Sequence, residues 1–212
     1  MKERRAAIAG MLLRLRAIGL DHRLMEALEQ IPRQNFVPVM HLFESYERGK
    51  LPIECGQTMT SADQVARTLQ ELDVGEAHRI LEIGTGSGYQ AALLASLGAR
   101  VTSLERFRTL VEKAVIRLAT LELGNVQVML VDGRSGLPGQ VFDRIVANCV
   151  FEEAPREFID QLSSGGIMIA PVGPPDDIQK LMRFHKIGSR FEATELFEVR
   201  MQPFIAGVSL AI

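Results

Sequence analysis

Apolar residues recur at helical spacing three times in the first 75 positions of the chain. The apolar residues of these runs are Ile8, Leu12 and Leu15, then Leu24, Leu28 and Ile31, then Val65, Leu69 and Leu72. Side chains three or four positions apart lie on one face of an α-helix. The pattern therefore predicts three N-terminal helices, the second of which begins after Asp21 as its N-cap and ends before Pro32.

From residue 79 the pattern changes, and short apolar runs alternate with helical ones. The short runs, typical of buried strands, are RILEI, RVTSLE, VQVMLVDG, FDRIVAN and GIMIAPV. The helical runs between them are YQAALLASLG, RTLVEKAVIRLATLELG and PREFIDQL. Two longer alternating runs, QKLMRFHKI and RFEATELFEVRM, follow and indicate an antiparallel pair. The sequence therefore predicts an α/β fold: a doubly wound, mostly parallel, Rossmann-like sheet with N-terminal helices and a C-terminal antiparallel hairpin.

Composition and charge narrow the class of protein. The chain has 212 residues, which fits one domain, and its net charge of −2 shows no basic surplus, so we expect no nucleic-acid partner. No apolar run approaches the ~20 residues that span a membrane. Arg14 and Arg16 interrupt the apolar start, so we expect no signal peptide, no membrane partner and a cytoplasmic protein. Cys55 and Cys149 are far apart in the chain, and we predict free, metal-free thiols.

The first predicted strand ends in a glycine-rich turn, EIGTGSGYQ. Gly84, Gly86 and Gly88 allow the backbone to turn sharply and to approach a ligand without an intervening Cβ. The dinucleotide-binding fingerprint requires a further glycine at the position of Tyr89, so the match to that fingerprint is incomplete. A tight turn without a ligand is the structural alternative.

Three acids at the ends of three successive predicted strands favour a ligand site. Glu105 follows Gly84 by about 20 residues, where a carboxylate can accept both hydroxyls of a ribose. We expect Asp132 to face an adenine amino group and Glu82 to face an ammonium group. Because no positive side chain accompanies the glycines, a pyrophosphate fits poorly. An adenosine with a cationic tail, such as S-adenosylmethionine, fits well and predicts a class I methyltransferase.

The motifs RQNFVP, LPIECGQTMT, ILEIGTGSGYQAALLASLG, VTSLER, VDG, FDRIVAN, QLSSGG, PVG and VRMQPFIAG follow one another in a characteristic order. In this order the chain resembles the protein-L-isoaspartate O-methyltransferases from about Arg33 to Gly207. The resemblance implies S-adenosyl-L-methionine as cofactor and isoaspartyl residues of damaged proteins as substrate. Methylation of the free α-carboxylate gives an ester that collapses to a succinimide, which can reopen as normal aspartate. The expected cofactor-binding residues are Glu82, Gly84, Thr85, Gly86, Ser87, Gly88, Glu105, Asp132 and Gly133.

The polar segment GQTMTSADQ carries the expected acceptor site. The family has Gln-Thr-Ile-Ser here, and its serine contacts the substrate carboxyl group, so the resemblance implies that Thr60 is the catalytic residue. The expected substrate-binding residues are Gln57, Thr58, Thr60 and Ser61. An alternative also fits, because Thr60 to Asp63 match a capping box, in which Thr60 starts a helix and Asp63 folds back towards the acceptor. The two roles of Thr60 can coexist, since helix N-termini favour anions.

We expect one domain, with residues 1–75 as a helical extension on the substrate side and 76–212 as the cofactor-binding sheet. A monomer is expected. No metal cluster and no general base stand out, which favours an acceptor that is already ionised, as a carboxylate is near neutral pH. The chain departs from the family at Asn148, Cys149 and Val150, which replace Thr-Ala-Ala, and at Gln202 and Phe204. Two alternatives therefore stay open: a methyltransferase of this fold with another carboxylate or hydroxyl acceptor, and a cofactor-binding protein without catalysis.

Overall fold

Three α-helices open the chain in the computed structural model, which describes residues 2–98 and 100–209. They are α1 (Lys2–Arg16), α2 (His22–Gln30) and α3 (Ala62–Leu72). Asp21 caps α2 as predicted, because its side chain accepts a hydrogen bond from the Leu24 amide at 2.8 Å. Leu15, Leu24 and Leu69 are buried on the apolar faces of the three helices. The helical spacing in the sequence thus predicted these elements correctly.

A seven-stranded sheet forms the centre of the molecule. After the short antiparallel pair β1 (Leu51–Pro52) and β2 (Thr58–Met59), the elements in chain order are β3 (Arg79–Ile83), α4 (Tyr89–Ser96), β4 (Arg100–Glu105), α5 (Arg108–Ala119), β5 (Val126–Leu130), β6 (Phe142–Ala147), β7 (Leu162–Val172), β8 (Gln179–Ile187) and β9 (Arg190–Val199). The strand order is β5-β4-β3-β6-β7-β8-β9. Strands β3 to β7 pair in parallel, and β7, β8 and β9 pair antiparallel. The predicted fold class, including the closing hairpin, is confirmed.

Alternate residues of each strand face opposite sides of this sheet, and the two sides are covered differently. One side buries Ile80, Val101 and Val146 in an apolar cluster to which all five described α-helices contribute. The other side buries Leu81, Leu104 and neighbouring apolar residues under loops and short 3-10 helices. The N-terminal helices therefore share one core with the sheet, and a boundary at residue 75 stays a prediction.

The predicted helix PREFIDQL is wrong, because residues Arg156–Gln161 form a 3-10 helix. This segment has only six residues between Pro155, which precedes it, and β7, which begins at Leu162. Phe158 turns fully into the second core, and the Gln161 side chain accepts a hydrogen bond from the Leu137 amide at 2.7 Å. The tertiary contacts of these two side chains thus determine the local conformation and override the α-helical spacing of the sequence.

The chain order reverses at β3, which has β4 on one side and β6 on the other. The carboxyl ends of parallel strands on either side of such a reversal diverge and leave a crevice, where ligands of open α/β sheets bind. The fold therefore directs attention to the loops that follow β3, β4, β5 and β6.

Candidate active site

A cavity lies at the carboxyl ends of β3 to β6. It is also lined by the segment that contains β2 and by residues 202–205 near the C-terminus. The sequence-predicted residues that line it are Gln57, Thr58, Thr60, Gly84, Thr85, Gly86, Ser87, Glu105, Asp132 and Gly133. Three predicted residues do not line the cavity: Ser61, Glu82 and Gly88. The structure therefore brings the two halves of the predicted site, from residues far apart in the chain, to one place.

The glycine-rich turn has the backbone that its sequence predicts. Gly84, Gly86 and Gly88 have φ values of 89°, 54° and 89°, which favour glycine over residues with a Cβ. A Cβ on Gly84 would lie 3.3 Å from the Cβ of Asn148, so β6 approaches the turn closely. Gly88 acts differently, because it is the N-cap residue of α4 and packs against Ala114 of α5. Two of the three glycines therefore shape the cavity and the third allows two helices to pack.

Glu105, the last residue of β4, holds the glycine-rich turn in place through hydrogen bonds to its carboxylate. Its Oε2 accepts a hydrogen bond from the Gly86 amide at 2.9 Å, and its Oε1 accepts from the Arg106 and Phe107 amides at 2.8 and 3.0 Å. Burial raises the pKa of Glu105, while the hydrogen bonds from these three backbone amides oppose the rise. The carboxylate lines the cavity and fixes the turn at the same time, and the expected ribose contact stays a prediction.

Glu82 is fully buried, one residue before the end of β3. Its Oε2 accepts from the Ser103 hydroxyl at 2.6 Å, and its Oε1 accepts from the side-chain amides of Gln90 and Asn148, at 3.1 and 3.2 Å. Burial raises the pKa of Glu82 to about 8, although these hydrogen bonds favour the charged form. The geometry does not support the expected direct contact with an ammonium group, because the carboxyl group has no exposed surface. Gln90 and Asn148 line the cavity instead.

Asp132 has hydrogen-bond partners on both carboxylate oxygens. Its Oδ1 accepts from the Arg134 amide at 3.0 Å and its Oδ2 from the Gly207 amide at 2.7 Å. Arg106 donates from Nε to the Gly207 carbonyl at 2.8 Å, so Gly207 is held from both sides. The segment 202–207 is fixed in this way over the cavity, with the ring of Phe204 stacked on Phe151 at 5.8 Å.

The segment around Thr60 resolves the question of the helix cap. The N-cap residue of α3 is Ser61, whose hydroxyl accepts from the Gln64 amide at 3.3 Å, so the alternative in which Thr60 caps the helix is wrong. Asp63 does not fold back as expected, because its carboxylate faces Arg14 at 3.9 Å. Thr60 lines the cavity, and its hydroxyl bonds to no residue within 2–98 and 100–209. Thr60 is thus available to a ligand, while the expected substrate contact of Ser61 finds no support in this geometry.

Several cavity residues were not predicted as binding residues from the sequence. They are Gln90, Arg106, Asn148, Cys149, Gln202 and Phe204. The sequence contained a signal for Asn148, because it follows β6 as the acids follow their strands, yet only acids were selected. Gln90 closes the segment EIGTGSGYQ and lies on the first turn of α4, so its position at no strand end gave no such signal.

The cavity suits a cationic adenosine better than a pyrophosphate. Two acids line it, Glu105 and Asp132, against a single basic residue, Arg106, whose Nε is already bonded to Gly207. Apolar side chains at the same strand ends, among them Ile83 and Leu104, offer a surface for a flat ring. No group of three or more metal-ligating side chains occurs among the described residues. The donor set therefore fits S-adenosylmethionine.

Comparison with known proteins decides the family. The family model for protein-L-isoaspartate(D-aspartate) O-methyltransferase (PCMT) matches residues 7–209. The chain belongs to this family. The recognition made from the sequence motifs is thus confirmed, and the PCMT resemblance in fact extends further in both directions than the motifs indicated.

Individual relatives agree with this PCMT assignment. The chain is 45% identical to the protein-L-isoaspartate O-methyltransferase of Azorhizobium caulinodans over 97% of this chain and 95% of that protein. It is 44% identical to that of Bradyrhizobium sp. strain ORS 278 over 94% and 93%. A solved Plasmodium falciparum structure, assigned to the same enzyme and in complex with S-adenosyl-L-homocysteine, covers 92% of this chain and 97% of its own at a TM-score of 0.80. At 20% identity that likeness supports the fold alone.

Proposed function

We propose that this protein transfers a methyl group from S-adenosyl-L-methionine to the free α-carboxylate of L-isoaspartyl residues in damaged proteins, and so initiates their repair. The single observation that carries the proposal is the PCMT family match over residues 7–209. The cavity supports it, because the glycine-rich turn and the Thr60 segment face the same space.

Methyl transfer to a carboxylate requires alignment of the two reactants and no proton transfer. When bound, S-adenosylmethionine supplies an electrophilic methyl group on a sulfonium. The acceptor carboxylate is already ionised near neutral pH, so a general base is unnecessary. Holding two reactants in line supplies roughly 7–11 kcal/mol of a reaction barrier. The role of this chain is therefore to orient the carboxylate oxygen and to exclude water around it.

Each side of the cavity has a separate part in this proposal. Gly84 and Gly86 let the turn approach the cofactor, while Glu105 accepts the ribose hydroxyls and keeps the turn in place. Thr60 donates its hydroxyl to the acceptor carboxylate, with Gln57 beside it along the same segment. Asn148 and Gln90, which bond to Glu82 and to each other, line the cavity beside the turn.

The substrates are peptides or proteins that carry isoaspartyl residues. A cytoplasmic location belongs to the proposal, because Cys55 and Cys149 are free thiols in the structure, as proteins of reducing compartments have. No helix of the described residues is long and apolar enough to cross a membrane.

Transfer of a labelled methyl group to a peptide pair tests the proposed function. One peptide carries an isoaspartyl residue and its twin carries normal aspartate at the same position. We expect label in the isoaspartyl peptide alone, released as methanol when the ester collapses. Equal labelling of both peptides, or labelling of neither in the presence of bound cofactor, would contradict the proposed acceptor.

A further inference from the structure

Arg33 links the two sides of the cavity although it is fully buried. Its Nε donates to the Ser45 carbonyl and its Nη2 to the Thr60 carbonyl, both at 2.8 Å. Its guanidinium group lies over the ring of Tyr89, with the central carbon 5.0 Å from the ring centroid. Thr60 lines the acceptor side of the cavity, and Tyr89 begins the helix that follows the glycine-rich turn. One side chain therefore connects the acceptor segment with the cofactor turn.

The charge of Arg33 has no direct ion pair among the described residues. Within residues 2–98 and 100–209, no carboxylate oxygen lies within 4.0 Å of its nitrogens. Asp63 attracts it from further away but also faces Arg14. Its Nη1 and the Tyr89 hydroxyl are both buried without a hydrogen bond of good geometry. Arginine does not lose its proton in proteins, so a positive charge is buried here beside backbone dipoles and an aromatic ring, with Asp63 as a more distant carboxylate.

Arg144 on β6 shows what a purely structural arginine looks like in the same chain. It is also buried, and its Nε donates to the carbonyls of Leu72 and Asp73 at 2.6 and 3.0 Å. Unlike Arg33, it has a carboxylate beside it, because its Nη2 lies 3.4 Å from Asp73. Arg144 does not line the cavity and touches none of the predicted site residues through these bonds. The difference between the two arginines is a directly paired carboxylate, which Arg144 has in Asp73 and Arg33 lacks.

We propose that Arg33 is the positioning residue for the acceptor: it holds the Thr60 peptide against the start of α4 and favours a carboxylate beside Thr60. The inference rests on the proposed function, in which the acceptor brings a free carboxylate to this place. Arg33 acts through Thr60 and Tyr89 rather than by contact, since it does not line the cavity. A bound substrate carboxylate then brings an opposite charge near Arg33 across the Thr60 peptide, without the direct pairing that Asp73 makes with Arg144.

A pair of peptides that differ only in this charge tests the inference. One carries an isoaspartyl residue with its free α-carboxylate, and the other carries the same residue as the α-carboxamide. The dissociation constants of both are measured by calorimetry with S-adenosyl-L-homocysteine present, together with KM and kcat for the carboxylate peptide. The full-length wild type is compared with Arg33→Met, Arg33→Lys and, as matched control, Arg144→Met.

We expect Arg33→Met to reduce the preference for the carboxylate peptide by about tenfold or more, since a nearby positive charge is lost. KM should rise accordingly, while affinity for the cofactor product changes by less than about twofold. Arg33→Lys should keep the preference, although kcat falls because one ammonium group cannot hold both carbonyls in the same plane. Arg144→Met should lower the melting temperature and leave the preference unchanged.

An unchanged preference in Arg33→Met, or equal weakening of both peptides, would overturn the inference and leave Arg33 as a structural clamp. If Arg33→Met does not fold, Arg33→Lys decides: a retained preference supports the charge, and a lost preference overturns it. A wild type that methylates no isoaspartyl peptide contradicts the proposed function and the inference with it. A wild type that methylates the peptide and a variant that keeps its preference contradict the inference alone.

Discussion

Glu82 and Glu105 stand near the carboxyl ends of two adjacent parallel strands, and their surroundings are opposite in kind. Glu82 is fully buried and is bonded by three side chains. Glu105 lines the cavity and is bonded by three backbone amides. The sequence treats the two as equivalent, since each is an acid close to a strand end.

The difference in surroundings comes from position along the strand: Glu82 is the next-to-last residue of β3, and Glu105 is the last residue of β4. Glu82 precedes the last residue of β3 and pairs in register with Ser103, so its side chain is enclosed between strands. Glu105 is the last residue of β4, where the glycine-rich turn passes over it. Burial raises the pKa of both carboxyl groups, and at Glu105 hydrogen bonds from three backbone amides oppose the rise. Of the two acids, the one at the strand terminus therefore lines the cavity, and the deeper one holds other side chains.

Of the substitutions that test this comparison, we expect Glu105→Ala to have the largest effect, on cofactor binding. The variant leaves three amides of the turn without an acceptor and removes a ligand for the ribose, which should weaken cofactor binding by about 1–3 kcal/mol. Calorimetry with S-adenosyl-L-homocysteine measures the change. Glu192→Ala, at an exposed position on β9, is the control and should bind as the wild type does. Unchanged affinity in Glu105→Ala would remove the contrast between the two acids.

Glu82→Gln should show its effect in the pH dependence of stability. The pKa of Glu82 is about 8 in the folded protein against an ordinary 4.5, so the folded state keeps a proton that the unfolded chain loses between these values. The contribution of this group to stability is therefore full below pH 4.5 and is lost as the pH rises through about 8. Glutamine cannot ionise. The free energy of unfolding of the variant should therefore rise relative to that of the wild type by on the order of 2 kcal/mol between pH 6 and 9.

Chemical denaturation of wild type and Glu82→Gln at several pH values measures this gain. Glu192→Gln again serves as control, because an exposed carboxyl group should give no such trend. A stability difference that stays constant from pH 6 to pH 9 would show that Glu82 is ionised throughout and that its burial does not distinguish it from Glu105.

The same contrast, between a residue that faces the cavity and a neighbour that faces the protein, recurs at Thr60 and Ser61. Thr60→Ala should lower methyl transfer up to about tenfold by loss of one hydrogen bond, with cofactor affinity unchanged. Thr60→Ser should keep or raise the activity. Ser61→Ala should instead lower the free energy of unfolding by about 0.5–2 kcal/mol through loss of the helix cap, with turnover per folded molecule unchanged.

Kinetics and thermal melting of the three variants separate these roles. A destabilised Thr60→Ala variant with full activity would show that Thr60 has a structural role and does not contact the substrate. A Ser61→Ala variant of normal stability and reduced transfer would reverse the two positions.

The sequence predicted most of the fold because the hydrophobic spacing of helices and strands is a local property. It failed at PREFIDQL, where Phe158 and Gln161 are held by contacts with residues distant in the chain. In the candidate site, most of the predicted residues at the ends of β3, β4 and β5 line one cavity, since the carboxyl ends of parallel strands meet at one edge. It could not order Thr60 against Ser61 as helix cap, because a shift by one residue leaves the capping pattern almost equally good.

Burial was the other property that the sequence could not supply. Glu82 and Glu105 differ in depth by one position, and only the register of β3 against β4 reveals it. Arg33 begins the motif RQNFVP, but nothing in the sequence predicted its burial, because an arginine is ordinarily a solvated residue. Its importance arises from three partners at positions 45, 60 and 89, which the fold alone brings together.

The segment over the cavity has a consequence for how a cofactor enters and leaves. Residues 202–207 belong to no helix and to no strand of the sheet, and they are attached through Gly207, isolated bridges, one ring stack and a hydrogen bond from the Gln202 side chain to the Gly56 carbonyl. Segments outside helices and sheets open by local unfolding at a lower free energy than the core of a domain. We therefore expect that spent and fresh methyl donor exchange past residues 202–207 while the sheet stays folded.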